Sequence, residues 1–470
     1  MNPTVASLIC AVGIAGLFYL DRDNSARTSK ALWLPVIWIW IVGSRPVSAW
    51  FGIDPGGNVQ LEGSPFDAAV FGVLLLAAVA VLVQRRKLSK ALLAANWPIL
   101  IFFIFCLISV TWSFHPDVAF KRWIKALGDI AMVLVLVTEP QLVAALGRLF
   151  SRIGFLLFPT SLLFIKYYPE FGRGYTPDGT PMNTGVTTNK NMFGITLLVI
   201  SLGVVWRIFT LLREKSQPGR VRHLLAQGIL LAFGIALLDM ADCKTCISCF
   251  MLGTGLMIGS SLRAIRGQPG RVHALCLAIF LSGAGLLLLG GQTGVVHALG
   301  RESNLSGRTD IWAAVIPAVP NPVVGAGFES FWISPNAQKV WADLAAKGWW
   351  NPKVLINEAH NGYIEIYLNL GWIGVCLISL ILISGYRNAV RASQRDYLLG
   401  SLLLAYIAVS VIYSITEAGF RILDPMWIFL LFAVVAASGV VPEVKTAALP
   451  SSARRSGERV ANHPALLRKR

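Results

Sequence analysis

The run that decides the fold class is residues 67–84, DAAVFGVLLLAAVAVLVQ. Its 18 residues carry one charged side chain, that of Asp67, and the rest are mainly Ala, Val and Leu. An α-helix needs roughly 20 mostly apolar residues to cross the hydrocarbon core of a bilayer. The run therefore predicts a membrane-spanning helix rather than a helix of a soluble domain.

The same apolar character extends over the whole chain of 470 residues. Hydrophobic residues make up 55% and charged residues 14%, and the mean hydropathy is +0.64. A soluble domain has about 25% charged residues. The composition excludes an ordinary globular enzyme, a disordered chain and a disulfide-rich secreted module, and it leaves one polytopic membrane domain.

Comparable apolar runs recur along the chain, and they predict an all-α polytopic membrane protein with about 12–13 transmembrane helices. The runs are 3–20, 31–44, 67–84, 95–113, 123–138, 153–168, 191–211, 224–240, 244–262, 273–290, 362–386, 398–417 and 424–442. The first run has neither a basic segment before it nor a cleavage signal after it, so we expect a retained span.

Lys and Arg residues between the runs predict the orientation, because short cytoplasmic loops carry the excess of positive charge. Alternate loops and the tail after residue 442 hold 26 of the 41 Lys and Arg residues, and the opposite loops hold 14. We therefore expect the N-terminus outside and the C-terminus in the cytoplasm. The predicted domains are a membrane domain, 1–442, and a basic, disordered cytoplasmic tail, 443–470, attracted to anionic lipid.

The largest predicted outer loop, 291–361, has 71 residues and is too long for a plain connector. Its aromatic residues predict a folded cap at the membrane interface. Trp332, Trp349 and Trp350 would act there as interface anchors or as platforms for sugar rings.

That loop contains an ordered series of short motifs. It has Gly307-Arg308 followed by Trp312, then Pro322 with Gly325-Ala326-Gly327, and finally His360-Asn361 at the start of a span. The series resembles the O-antigen ligase and polymerase family, in which an outer loop opens with Gly-Arg…Trp, passes a Pro…Gly-x-Gly turn and closes with His-Asn.

Segments outside that loop strengthen the resemblance, and two of them are typical of the exopolysaccharide-polymerase branch. The segments shared with the wider family are Thr111-Trp112-Ser113 with Pro116 and Arg122, and Asn189-Lys190-Asn191-Met192-Phe193-Gly194. The two segments typical of that branch are Gly43-Ser44-Arg45-Pro46 with Glu62-Gly63-Ser64-Pro65, and Glu417 after Ser414-Ile415-Thr416.

The resemblance implies a GT-C-like glycosyltransferase of the bacterial inner membrane. Such enzymes take a glycan from a polyprenyl (undecaprenyl) diphosphate carrier at the outer face and pass it to an acceptor hydroxyl, without a nucleotide sugar, cofactor or metal. The acceptor is another carrier-linked unit for polymerases and lipid A core for ligases. We expect a polymerase in exopolysaccharide or O-antigen synthesis, with membrane lipid and a polysaccharide chain-length co-polymerase as partners and no nucleic acid.

Such chemistry needs cations, because negative charge builds on the diphosphate as the glycosidic bond breaks. Arg308 and Lys244 are the first candidates, and Lys244 stands where the family usually carries Arg. The diphosphate and glycan site would be completed by Arg122, Arg173, Lys190 and Asn191. Lys244 fits equally well as a snorkelling residue at the end of a span.

The acceptor hydroxyl must lose a proton during attack, and His360 has a suitable intrinsic pKa for a general base. Glu358 is the rival base, and it would need a pKa raised by burial. Asn361 would orient sugar hydroxyls. Glu417 and Arg421 are either functional groups or a structural ion pair.

Other chemistry has weaker support. Cys243, Cys246 and Cys249 would share one helical face, but a fourth metal ligand is absent, so we expect packing residues. Asp54 and Glu62 leave a metal site open on the outer face. The rival functions are a flippase for lipid-linked glycans and a peptidoglycan polymerase of the cell-division or cell-shape type.

Overall fold

The computed structural model describes residues 1–23, 27–53, 63–175, 179–214, 219–288, 308–346 and 356–440. These residues are mainly helical, and one short antiparallel hairpin pairs β1 (Arg173–Tyr175) with β2 (Pro181–Asn183). The predicted all-α polytopic membrane fold is confirmed. The predicted tail 443–470 lies outside the described residues, as do Asp54, Glu62, Trp349 and Trp350.

The helices are numbered in chain order, and three 3₁₀ turns lie between them. The turns are Lys30–Leu32, Val110–Trp112 and Phe331–Ile333. The helices are α1 (Pro3–Leu20), α2 (Trp33–Val42), α3 (Val47–Trp50), α4 (Pro65–Gln84), α5 (Arg86–Ala95), α6 (Trp97–Ser109), α7 (Pro116–Val137), α8 (Leu142–Tyr167), α9 (Pro169–Gly172), α10 (Lys190–Arg213), α11 (Arg220–Ala241), α12 (Lys244–Ser261), α13 (Pro269–Leu288), α14 (Arg308–Val315), α15 (Pro335–Ala346), α16 (Gly362–Arg395), α17 (Tyr397–Tyr413) and α18 (Pro425–Val440).

Every predicted apolar run overlaps one of these helices. Among the described residues, six helices are long and apolar enough to cross a membrane, namely α1, α4, α8, α10, α11 and α16. The number rises to seven if α5 and α6, which are bent by 86° at their junction, form one span. The predicted total of 12–13 spans, the orientation and the domain boundaries remain predictions.

The bundle is centred on α10, α12, α16, α17 and α18, which pack against one another. The buried hydroxyl of Tyr406 in α17 donates to the Val199 carbonyl of α10 at 2.8 Å, and its ring lies 5.0 Å from that of Phe429 in α18. Helices α1 and α4 lie at the edge of the bundle, with 11% of their most apolar segments buried.

The described part of the predicted outer loop folds as a cap, and its core is separate from that of the bundle. Ile311, Val315, Phe331 and Val340 belong to this second core. Trp332 is buried and donates its indole N–H to Glu365 at 2.8 Å. The expectation that Trp332 anchors at the interface or stacks on sugars was therefore wrong, because the ring is inside the cap.

The cysteine-rich start of α12 differs from the sequence prediction. Cys243 and Cys246 form a disulfide, with their Cα atoms 5.2 Å apart, whereas Cys249 is a free, buried packing residue. The disulfide lies against Gly194, where a Cβ atom would be 2.7 Å from Cβ of Cys243. The glycine of the Asn-Lys-Asn-x-Phe-Gly segment therefore leaves the space that this disulfide occupies.

Candidate functional site

A cluster of charged side chains forms where the start of α14, the segment before α16 and the loop after α17 meet. Its most buried members are Arg308 and Glu417, whose Nη2 and Oε1 atoms are 2.7 Å apart. The other terminal nitrogen of Arg308 donates to the carbonyl of Thr416. The side chains of Arg308 and Glu417 are 11% and 6% exposed. Arg308 is thus fixed by a buried ion pair and a backbone acceptor.

His360 lies between two carboxylates. Its Nδ1 atom is 2.9 Å from Oε1 of Glu358 and 3.5 Å from Oε2 of Glu417. The backbone of His360 has a φ of +49°, in the left-handed region that residues other than glycine rarely occupy. Such conformations persist where the surrounding structure holds them, often at functional sites.

The backbone around His360 explains how that conformation is held. Asn361 caps α16, since its Oδ1 accepts from the backbone N–H groups of Tyr363 and Ile364 at 3.0 Å each. Its Nδ2 donates to the carbonyl of Ile415 at 2.9 Å. The Gly362 N–H donates to the Ser414 carbonyl at 2.8 Å. The amide predicted to orient sugar hydroxyls is therefore occupied in joining α16 to the loop after α17.

A second ion pair links Arg421 to Glu358, with 3.4 Å between Nη1 and Oε2. Their side chains are 29% and 26% exposed. The structural pair considered between Glu417 and Arg421 was wrong, because each residue has a different partner. The partners cross over: the buried pair joins Arg308 to Glu417, and the more open pair joins Arg421 to Glu358.

The electrostatics of the cluster change the expected roles of both candidate bases. Burial alone would raise the pKa of Glu358, but His360, Arg421 and Arg308 together hold it at about 2. Burial would lower the pKa of His360, but Glu358 and Glu417 raise it to about 9. At neutral pH Glu358 is therefore ionised and His360 is protonated. The predictions of a neutral histidine base and of a raised Glu358 pKa do not fit these values.

The loop that carries Arg421 is fixed by a buried carboxylate of α7. Asp129 accepts from the Trp38 indole at 2.9 Å and from the Leu423 backbone N–H at 3.0 Å. Gly128 provides space for this contact, since a Cβ atom there would collide with the Trp38 ring. Because Asp129 accepts from Leu423, it positions the loop two residues after Arg421. The sequence analysis did not identify this role.

The Pro…Gly-x-Gly turn and the Leu-Gly-Trp segment of α16 are partners in space. The Ala326 and Gly327 N–H groups donate to the Leu368 and Asn369 carbonyls at 3.0 and 2.8 Å. In return, the Trp372 N–H donates to the Pro322 carbonyl at 2.9 Å. This pairing breaks α16 at Gly371, which has a φ of +61°. A Cβ atom at Gly371 would collide with the backbone of Val323.

The Trp-Ser segment closes the same junction from α6. Ser113 Oγ lies 2.7 Å from Ser330 Oγ, and Ser109 Oγ accepts from the Phe328 N–H at 3.0 Å. A Cβ atom at Gly327 would lie 2.9 Å from Cα of Ser113. These three sequence motifs therefore have a structural role, which is to dock the cap on the bundle beside the charged cluster.

The segment that presents Glu358 is held from the cap side. Ala359 donates its N–H to Glu365 at 2.9 Å, and its carbonyl accepts from the Trp312 indole at 2.8 Å. Glu365 also accepts from Trp332. The tryptophan of the Gly-Arg…Trp motif thus positions the backbone between Glu358 and His360.

The remaining predicted binding residues have varied surroundings. Lys244 pairs with Asp242 at 2.8 Å, and their side chains are 48% and 64% exposed, so Lys244 is turned toward solvent. Arg173 donates to the Ile165 carbonyl at 3.0 Å. Arg122 donates to the Glu329 carbonyl. The contacts described for Lys244 and Arg173 do not reach the charged cluster, whereas Arg122 interacts electrostatically with Arg421.

The Asn-Lys-Asn segment begins α10 beside the cluster. Nδ2 of Asn191 lies 3.4 Å from Oε2 of Glu417, so this predicted residue does reach the cluster. Asn189 caps the helix, since its Oδ1 accepts from the Met192 N–H at 2.8 Å. Lys190 is the first residue of α10, between the capping residue and the residue that contacts Glu417.

Glu358, His360 and Glu417 present ligand atoms within 4.8 Å of one another, a spacing that could hold a metal ion. The surroundings oppose this use, because Arg308 and Arg421 already pair with the two carboxylates. A divalent cation would have to displace these partners.

Comparisons with known proteins give one relevant similarity. No family model matches the chain. The chain is 24% identical over 324 residues to "Exopolysaccharide production protein ExoQ" of Rhizobium meliloti (strain 1021). The aligned region covers 66% of this chain and 69% of that protein. The similarity supports the resemblance at the level of an ExoQ-like or O-antigen ligase-like family, without distinguishing its branches.

Proposed function

We propose that this protein is a membrane glycosyltransferase that polymerises glycan units from polyprenyl diphosphate-linked donors in exopolysaccharide production. The observation that carries the proposal is the charged cluster formed by Arg308, Glu417, His360, Glu358 and Arg421. The similarity to ExoQ over 66% of the chain supports the exopolysaccharide role.

The charge of the cluster suits a diphosphate leaving group. Three cations, Arg308, His360 and Arg421, lie together beside the carboxylates of Glu358 and Glu417 at neutral pH. Cations in a water-poor site stabilise the charge that develops on the leaving diphosphate. Arg421 and His360 are 29% and 28% exposed, whereas Arg308 is 11% exposed. We assign diphosphate contact to Arg421 and His360, and Arg308 becomes the residue that fixes Glu417.

Glu358 is the group best placed to receive the acceptor proton. Its carboxylate is ionised and 26% exposed, and it lies beside the two more open cations. In the proposed step the acceptor hydroxyl oxygen bonds to the anomeric carbon as the bond from that carbon to the diphosphate oxygen breaks. The diphosphate keeps the electron pair. Because the pKa of Glu358 is about 2, this carboxylate takes the hydroxyl proton late, once bonding to the anomeric carbon has made that proton strongly acidic.

The decisive experiment is glycan transfer by the purified protein. The reaction contains a polyprenyl diphosphate-linked oligosaccharide and a chelator, without nucleotide sugar. The expected products are longer lipid-linked glycans, formed by the wild type and by Lys244→Ala but not by Glu358→Gln or Arg421→Ala.

Other outcomes would overturn the proposal in defined ways. Transfer only after addition of lipid A core would make the protein a ligase. Transfer from lipid II into peptidoglycan would make it a peptidoglycan polymerase. Movement of labelled donor across a proteoliposome membrane without transfer would make it a flippase.

A further inference from the structure

A large cavity lies at the end of the bundle opposite the charged cluster. Its volume is about 790 Å³. Helix α10 connects the two regions, since Asn191 near its start reaches Glu417 and Arg207 and Glu214 at its other end line the cavity. The 24 residues of α10 place the two ends roughly 35 Å apart. The cavity is thus a separate site from the proposed catalytic cluster.

Most acidic groups that line the cavity already have partners. Glu139 pairs with Arg85 at 2.8 Å and accepts from Ser29 at 2.6 Å. Asp21 contacts His223 at 3.2 Å and Gln227 at 3.1 Å. Asp396 caps α17 by accepting from backbone N–H groups. These carboxylates belong to the helix-packing structure and are not available to a ligand.

Arg207 differs from these carboxylates in its lack of a described partner. It is 8% exposed, lines the cavity, and has no hydrogen bond or ion pair in the described part of the chain. Its guanidinium lies over Gly147, where a Cβ atom would be 3.0 Å from Nε. A charged residue within a membrane helix is a functional candidate by default.

Glu214 is the second unsatisfied group of the cavity. Its Oε2 atom is buried and has no hydrogen-bond partner among the residues that the structure describes. Glu214 is the residue directly after α10, seven positions beyond Arg207, and both residues line this cavity. The cavity therefore presents an open cation and an open anion to the same space.

We propose that this cavity binds a phosphoethanolamine group, with its phosphate on Arg207 and its ammonium on Glu214. A guanidinium pairs well with phosphate oxygens, and an ammonium can donate hydrogen bonds to a carboxylate. The group comes either from the headgroup of a phospholipid or from a soluble phosphoethanolamine compound, and the chemistry of recognition is the same for both sources.

The test is binding of defined lipids to the full-length protein in detergent, followed by native mass spectrometry. We expect retention of phosphatidylethanolamine above phosphatidylglycerol and phosphatidylcholine. Arg207→Met should weaken binding of phosphatidylethanolamine and of phosphatidylglycerol by about tenfold or more, because both carry the phosphate. Glu214→Gln should weaken phosphatidylethanolamine alone, since only that lipid has an ammonium that donates hydrogen bonds.

Arg213→Met is the matched control. Arg213 lies on the same helix and stacks on Tyr397, with its guanidinium carbon 5.6 Å from the ring centroid, and it is not among the cavity-lining residues. Its replacement should leave lipid retention unchanged. Equal retention of all three lipids by the wild type, or equal losses in Arg207→Met and Arg213→Met, would overturn the proposal.

Thermal unfolding separates ligand loss from misfolding. Without added lipid, Arg207→Met should unfold at the same temperature as the wild type or higher, because the substitution removes an unpaired buried charge. Added lyso-phosphatidylethanolamine should raise the unfolding temperature of the wild type only. If soluble phosphoethanolamine gives the same rise, the source is the soluble compound. No rise with either probe contradicts the proposed site.

Discussion

The two ion pairs of the charged cluster use the same chemical groups in different environments. Arg308 and Glu417 are 2.7 Å apart and at most 11% exposed, whereas Arg421 and Glu358 are 3.4 Å apart and 26% to 29% exposed. A buried pair that loses one partner leaves an uncompensated charge, but a more open pair is solvated and adjustable. The comparison favours a structural role for the first pair and supports the catalytic role proposed for the second.

The largest expected effect is loss of stability when the buried pair is broken. Arg308→Ala or Glu417→Gln should lower the free energy of unfolding by about 3–5 kcal/mol, because the remaining partner stays buried. Thermal unfolding in detergent, with protein level in the membrane as a second readout, measures this.

A double variant sharpens the assignment of the buried pair. In Arg308→Ala/Glu417→Gln both charges are gone, so its loss of stability should be smaller than the sum of the two single losses. Additive losses would show that Arg308 and Glu417 do not act as a pair.

Breaking the open pair should affect catalysis more than stability. Arg421→Ala should reduce the rate of glycan transfer by about 100-fold or more, because it removes a cation from the leaving group. Its free energy of unfolding should fall by less than that of Arg308→Ala, because the Arg421 side chain is 29% exposed and that of Arg308 is 11% exposed. Turnover of the lipid-linked donor at matched protein concentration measures the rate. A rate near that of the wild type would remove Arg421 from the site.

The third prediction is a loss of activity at alkaline pH. Because the pKa of His360 is raised to about 9, the ring keeps its charge at neutral pH and loses it as the pH rises through 9. The transfer rate should fall by about tenfold per pH unit above that value. In Glu358→Gln the His360 pKa should move down, which nitrogen NMR of labelled histidine can follow.

The titrations of His360 and Glu358 also make the stability of the protein depend on pH. The folded pKa of His360 lies above the ordinary value of 6.5, so its stabilising contribution is complete below pH 6.5 and is lost as the pH rises through about 9. The Glu358 pKa is lowered from 4.5, so its contribution is present above pH 4.5 and is lost as the pH falls toward 2. Stability of His360→Gln that varies with pH as in the wild type would contradict the first statement.

The smallest expected effect is that of Lys244→Ala. Because Lys244 and Asp242 are 48% and 64% exposed, the free energy of unfolding should change by less than about 0.5 kcal/mol. The transfer rate should stay within about twofold of the wild type. A large loss of transfer would return Lys244 to the diphosphate site and weaken the distinction between the two pairs.

The sequence predicted the fold better than the arrangement of the site. Long apolar runs such as 67–84 predict helices directly. Their apolar side chains are stable in lipid, and an α-helix satisfies all of its backbone hydrogen bonds within one segment there. The order of the motifs also led to Arg308, His360 and Glu358, which the structure places together. Periodicity and composition are local properties, so the sequence carries them directly.

The partners of those residues could not be predicted. Glu417 lies four residues from Arg421 in sequence, yet its partner is Arg308, 109 residues away. Lys244 was predicted to be a cation of the site, but it forms an ion pair with Asp242 instead. Asp129 and Gly371 act through contacts with distant loops, for which the sequence offered at most the signal of a carboxylate in an apolar helix.

The sequence by itself therefore predicted a helical membrane protein, a folded cap in its longest loop and a short set of charged candidates. The tertiary structure alone decided which charged side chains form ion pairs, which of these pairs are more exposed and which groups are protonated at neutral pH. The physical reason is that burial and the distance between opposite charges set both pairing and pKa. Those distances arise only when α10, α14, α16 and the loop after α17 meet at one end of the bundle.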